Sequence, residues 1–138
     1  MKAAEYFNNG YSCSESIIME AIEKGLVPEE LLSVATSFSG GMGSGCLCGA
    51  IAGSQMVLGY VLGRSNARVA AKKFIEEFKK NHKATCCRVL TAGLDMASPE
   101  RKAHCTNMVN DCSKILEEMI KVKAVSYTHL TLPTNSLV

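Results

Sequence analysis

Apolar residues recur along this chain with a period near 3.6 almost throughout, and that spacing predicts an all-α fold. Ala3 to Asn8 makes a short amphipathic start. Ser12, with Glu15 three positions on, reads as a capping box. Ile17, Ile18, Ala21 and Ile22 supply the buried stripe of the helix it opens, and Gly25 closes it. Pro28 followed by Glu29 and Glu30 predicts a short helix through Phe38. Proline suits a first helical position, and the carboxylates complement the positive end of the helix dipole.

A glycine cluster, Gly40-Gly41-Met42-Gly43-Ser44-Gly45, then leads into an apolar helix from about Leu47 to Leu62. Gly49 and Gly53 lie four apart on one face of it, where another backbone can approach closely. Gly63 and Ser65-Asn66 mark a turn before a charged helix that runs to about His82, with Val69, the stem of Lys73, Phe74 and Phe78 turned inward. Thr85 is placed to cap a short helix from Cys86 to Ala92. Ser98-Pro99-Glu100 opens the last long helix, in which Cys105, Val109, Cys112, Leu116 and Met119 step down to Ile120. The expected architecture is a small single-domain bundle of five to six helices, with a Gly-rich loop before the central apolar helix.

Residues 125–138 break the pattern, with no Asp, Glu, Lys or Arg and a strand-like composition. They resemble the adapter read-through tails of translated fragmentary sequence, so the chain divides into a helical domain over 1–124 and a non-native tail over 125–138. A native strand or a disordered terminus is the alternative.

Composition narrows the function classes. At 138 residues and 47% hydrophobic, the chain is one domain with a sizeable core. Fifteen Lys plus Arg against thirteen Asp plus Glu leave a net charge of +2, too small for a nucleic-acid groove or a polybasic membrane surface. With no Trp and 6% aromatic residues there is no base-stacking platform. The apolar run from Cys46 to Leu62 is short and interrupted by Gly49, Gly53, Ser54, Gln55 and Gly59, so no membrane insertion is expected. The first twelve residues lack the apolar region of a signal peptide, which makes a reducing cytoplasm the expected compartment. An apolar content this high in so small a chain points to a homodimer.

Several motifs carry little. The glycine cluster has no Lys-Ser/Thr after it and is not G-x-G-x-x-G, because Cys46 stands where the third Gly would fall. His82 and His104 stand alone and read as solvated surface residues. Arg68, Lys72, Lys73, Lys79, Lys80 and Lys83, offset by Glu76 and Glu77, read as an exposed helix face.

The cysteines carry more. There are seven, at 13, 46, 48, 86, 87, 105 and 112. That odd count lies below the roughly 8–10% of a secreted disulfide scaffold. Cys13, Cys48 and the Cys86-Cys87 pair fall at expected helix N-termini, where unpaired N–H groups and the dipole favour a thiolate. Cys105 lies on an inward stripe and can face them in an antiparallel bundle, whereas Cys112, among Val109, Leu116 and Met119, reads as core. Neither Cys46-x-Cys48 nor Cys86-Cys87 has zinc-knuckle spacing, although a four-thiolate site assembled in space stays open.

The arrangement resembles the C_GCAxxG_C_C family of redox-active proteins, which carry four characteristic cysteines and a CGAxxG motif. Gly10-Tyr11-Ser12-Cys13-Ser14-Glu15 is similar to the family's G-x-x-C-x-E element, and Cys48-Gly49-Ala50-Ile51-Ala52-Gly53 reproduces C-G-A-x-x-G. Phe78 followed by Cys87-Arg88-Val89-Leu90 resembles the third element, and Cys105 with Val109 the fourth, C-x-x-x-V. The likeness runs from about Ala4 to about Lys123.

The resemblance implies that Cys13, Cys48, Cys87 and Cys105 form one functional set, with Cys46, Cys86 and Cys112 as extras. The third position is ambiguous by one residue, and Cys87 is chosen over Cys86 because Arg88 and Leu90 follow it in the family's register. Family members are reported beside transporter genes, and a related domain occurs in a cytochrome with an iron centre.

Three functions are compatible with four converging thiols, and whether the protein is an enzyme stays open among them. In the first, a low-pKa cysteine, Cys13 or Cys48, attacks a disulfide of a redox partner protein or small thiol, and a neighbour resolves the intermediate. In the second, Cys13, Cys48, Cys87 and Cys105 are metal ligands holding an iron–sulfur cluster or a single metal ion for electron transfer or sensing. Gly49 and Gly53 then act as cofactor-binding positions that give the backbone close access. The third is a non-catalytic helical accessory, transporter-associated, whose cysteines only pack or hold structural zinc. The first two require sulfur atoms far apart in sequence to meet in one pocket.

Overall fold

A computed structural model of the chain describes residues 1–95 and 97–131, with side chains described as far as Lys121. The periodic segments form seven α-helices among the described residues. They are α1 (Ala3–Asn8), α2 (Cys13–Glu23), α3 (Leu31–Thr36), α4 (Gly49–Leu62), α5 (Arg64–His82), α6 (Cys87–Leu90) and α7 (Pro99–Thr131). The expected all-α class holds, with the short α1 and α6 as helices in their own right. The described residues contain no strand beyond an isolated antiparallel bridge between Leu47 and Cys86.

The capping box at α2 forms as its sequence dictates. Ser12 N–H donates to Glu15 Oε1 at 2.9 Å, and Glu15 N–H donates to Ser12 Oγ at 3.2 Å. The other Glu15 oxygen accepts from Thr36 Oγ1 at 2.7 Å, which ties α3 to the start of α2. These donors, Ser12 N–H first and Thr36 next, hold the Glu15 carboxyl below its ordinary value. Gly25, at φ +74, ends the turn after α2.

Helix α3 begins at Leu31 rather than at Pro28, because Leu31 N–H bonds Pro28 O and Leu32 N–H bonds Glu29 O in turns of the i→i−3 kind. The inward stripe of α5 is Ala70, Phe74 and Phe78, not Val69, which is 74% exposed, and Lys73 is exposed as well. Four-residue steps back from Phe74 reach Ala70, one position past the larger valine. Cys86, not Thr85, caps α6, since the Thr85 carbonyl is taken by Cys48 N–H at 2.8 Å. Helix α7 continues past Ile120 to Thr131; residues 125–131 of the expected tail lie within it, and 132–138 lie outside the described residues.

The core forms where α4 lies against α2, α5 and α7. Ile17, Ile18, Ile51, Val57, Leu58, Phe74, Phe78, Val109 and Cys112 are fully buried there, so Cys112 is the core residue its stripe predicts. His82 and His104 are structural rather than solvated. The His82 ring stacks on Phe78 at 4.4 Å between centroids, its side chain is 13% exposed, and its Nε2 meets Asp111 Oδ2 at 2.7 Å, joining α5 to α7. His104 Nε2 bonds the Leu90 carbonyl at 2.7 Å. No helix among the described residues is long and apolar enough to cross a membrane.

The closest approach is between α2 and α4. A Cβ at Gly53 would lie 2.8 Å from the Ser14 carbonyl oxygen and 3.2 Å from Ile17 Cβ, so backbone itself blocks any side chain there. Gly53→Ala is expected to force the two helices apart and cost about 1–3 kcal/mol. Urea unfolding checks this, and an unchanged midpoint would refute the close packing.

Candidate functional site

Each of the four family-type cysteines sits where local structure fixes it. Cys13 is the first residue of α2, Cys48 the cap of α4 and Cys87 the first residue of α6 behind its cap Cys86, while Cys105 lies one turn and a half into α7. The Leu47–Cys86 bridge pins the second and third elements together through Cys48 N–H to Thr85 O and Cys87 N–H to Cys46 O. All four cysteines line one cavity of about 420 Å³, with Phe7, Gly49, Arg101 and Lys102 also on its walls.

Two glycines make this convergence sterically possible. A Cβ at Gly49 would overlap the Cys13 sulfur, so the second residue of the CGAxxG motif leaves the room in which that sulfur sits. Gly41, at φ +67, would bring a Cβ within 2.9 Å of Cys87 Cβ and into the backbone of Cys46. Gly53 is not among the lining residues; it faces Ser14 and Ile17.

The expectation that helix N-termini would lower the thiol pKa is overturned at Cys13 and Cys48. Burial pushes Cys48 up to about 12, the neighbouring Cys13 and Cys87 adding to it, against the opposing N–H groups of Ile51 and Ala50. Burial likewise raises Cys13 despite the N–H groups of Gly40 and Ser14, and raises Cys105 despite the opposing charges of Arg101 and Lys102. Removing a thiolate from water costs more than a few N–H dipoles return. Cys13 and Cys48 are therefore neutral thiols at neutral pH.

The three remaining cysteines differ in setting. Cys112 is fully buried and its thiol is pushed well up by burial, with Ser54 as its hydrogen-bond partner. Cys86 Sγ donates to Gly45 O at 3.1 Å, and Cys46 is exposed, accepting from Ser44 Oγ at 3.1 Å. Among the described residues no three Cys, His, Asp or Glu side chains are arranged to hold a metal ion.

Sequence reasoning missed Arg101 and Lys102. Lys102 Nζ donates to the Phe7 carbonyl at 2.9 Å and lies 3.8 Å from the centroid of the Phe7 ring. Both residues stand one helical turn before Cys105, so their shared face was readable from the i−4 and i−3 spacing.

The raised thiols carry a pH signature. For Cys48 the folded value of about 12 lies above the ordinary 9.0, so the unfolded chain loses its proton first as pH rises. Stability is fully present below about pH 9 and lost progressively toward about pH 12. Urea unfolding across that alkaline range is expected to show the loss, with a shallower slope in Cys48→Ala; equal slopes would refute the burial of this thiol.

Comparison with known families agrees with the geometry. The sequence model described as "Putative redox-active protein (C_GCAxxG_C_C)" matches residues 11–119, the stretch that contributes all four cavity cysteines. Comparisons with curated proteins and with solved structures give no match. A match over most of the chain, centred on the residues that build the cavity, makes this protein a member of the C_GCAxxG_C_C family.

Proposed function

We propose that the protein is a thiol–disulfide redox protein in which Cys13, Cys48, Cys87 and Cys105 cycle between dithiol and disulfide within the cavity. The observation that carries this reading is that four cysteines from four separate elements line one cavity. In one turn, two cysteine thiols give up two protons and two electrons to a disulfide of a small molecule or partner protein. The partner leaves as two thiols and a Cys–Cys bond remains. Within this set the bond is taken up first at the partly buried Cys87, because burial keeps Cys13 and Cys48 protonated and poor attackers. Those inner thiols receive the oxidising equivalents, held next to Cys87 by the fold rather than by high reactivity.

A second reading has the same four thiolates as ligands of an iron–sulfur cluster, for which four cysteines are the usual number. The N–H groups of Gly40 and Ser14 at Cys13, and of Ile51 and Ala50 at Cys48, favour it, since such donors stabilise sulfur anions. The arrangement of the described side chains does not form an ion site, which favours exchange.

Anaerobic purification followed by metal analysis, visible spectroscopy and differential alkylation separates these readings. The expected protein is colourless and metal-free, and titrates with glutathione disulfide to Cys–Cys bonds within the set. Serine substitution of any one of the four is expected to remove a disulfide. Absorbance between about 300 and 500 nm that bleaches with dithionite would replace exchange by cluster chemistry. Four thiols that resist both oxidant and metal would favour the structural, transporter-accessory role.

A further inference from the structure

The family-type set leaves the outermost thiol unexplained. Cys46 is exposed, whereas Cys48, two residues on, is buried within the cavity wall. The bridge that joins their segment to α6 is antiparallel with Leu47 opposite Cys86, and its two hydrogen bonds run from Cys48 N–H to Thr85 O and from Cys87 N–H to Cys46 O. That register sets Cys46 directly opposite Cys87. One hydrogen bond, from Cys87 N–H to Cys46 O, joins the two, while Cys46 N–H bonds Gly41 O, and such a direct backbone bond keeps the Cα atoms about 5–6 Å apart, inside the roughly 4.4–6.8 Å that a disulfide spans. Gly41 packs against both, with a Cβ position that would meet the Cys46 backbone and Cys87 Cβ, so nothing larger separates them. Cys86 points elsewhere, its sulfur bonded to Gly45 O.

We infer that Cys46 is the entry thiol of the site, exchanging with disulfides in solution and passing the bond to Cys87 across the bridge. This rests on the thiol–disulfide reading and adds a fifth cysteine to it. The Cys46 thiolate attacks one sulfur of an external disulfide, forming a mixed disulfide and releasing one thiolate, which takes up a proton. The Cys87 thiolate then attacks the Cys46 sulfur, forming Cys46–Cys87 and expelling the second thiolate. Two cysteine thiols are oxidised by two electrons and one external disulfide is reduced to two thiols. In a slower step an inner thiol, Cys13 or Cys48, displaces Cys46 from Cys87 and passes its proton to the departing Cys46 sulfur, which returns Cys46 as a free thiol and moves the disulfide into the cavity. Ser44 Oγ, donating to Cys46 Sγ, holds the entry sulfur at the rim.

The test treats the full chain with glutathione disulfide, quenches with acid at intervals, and locates each adduct and disulfide by peptide fragmentation. Glutathione is expected first on Cys46, followed by its loss as the Cys46–Cys87 bond appears. In Cys87→Ser the adduct on Cys46 persists. In Cys46→Ser, an exposed position at which folding is checked by circular dichroism, oxidation of the cavity thiols slows by about tenfold or more but still reaches completion. Cavity oxidation in Cys46→Ser at the full rate would overturn the entry role and leave the cavity chemistry standing. A bond from Cys46 to Cys86, surviving in Cys87→Ser and absent in Cys86→Ser, would also overturn it. Glutathione that stays on Cys46 while no cavity thiol is ever oxidised would overturn both.

Discussion

The structure depends on one close approach, the N-terminal turn of α2 laid against the N-terminal half of α4 at Gly49 and Gly53, where α4 puts no side chain between them. At Gly53 the intruding atom would be a backbone carbonyl, and at Gly49 it would be the sulfur of Cys13. The CGAxxG motif is thus a steric device before it is a chemical one. It brings the start of one helix beside the cap of another and leaves space for a sulfur there. Ala50 and Ile51 fill the core on either side, so the motif belongs to the packing as much as to the cavity.

That closeness sets the electrostatic character of the site. Helix N-termini supply N–H groups to Cys13 and Cys48, yet the packing that delivers them also removes water from both sulfurs. Desolvation wins, and the thiols are held neutral. Arg101 and Lys102 offset the same effect at Cys105, one turn away along α7. The site is accordingly graded in exposure, from buried Cys48 through partly buried Cys13, Cys87 and Cys105 to exposed Cys46.

The grading follows from the Gly-rich segment and the single bridge after it. Gly41–Gly45 forms a π-turn with positive φ at Met42 and at all three of its glycines, and the chain then enters the Leu47–Cys86 bridge. A two-hydrogen-bond bridge in an otherwise helical protein stabilises little by itself. Its effect is positional, fixing which residue of each cysteine pair faces the cavity. Cys48 and Cys87 line the wall, while Cys46 and Cys86 do not.

The sequence alone determined the helices and the caps of α2 and α7, because apolar period and capping residues are local properties. Ser12 with Glu15 and Ser98 with Pro99 were legible for that reason. It also marked Cys13, Cys48, Cys87 and Cys105 through motif spacing, and gave Cys112 to the core through its stripe. Tertiary structure decided the rest. It turned Val69 outward in favour of Ala70, paired His82 with Asp111, and set Gly53 against Ser14 and Ile17. It also reversed the expected acidity of Cys13 and Cys48. Burial and cross-chain register depend on residues distant in sequence, and neither the depth of a sulfur nor the partner across a bridge is encoded in any local window.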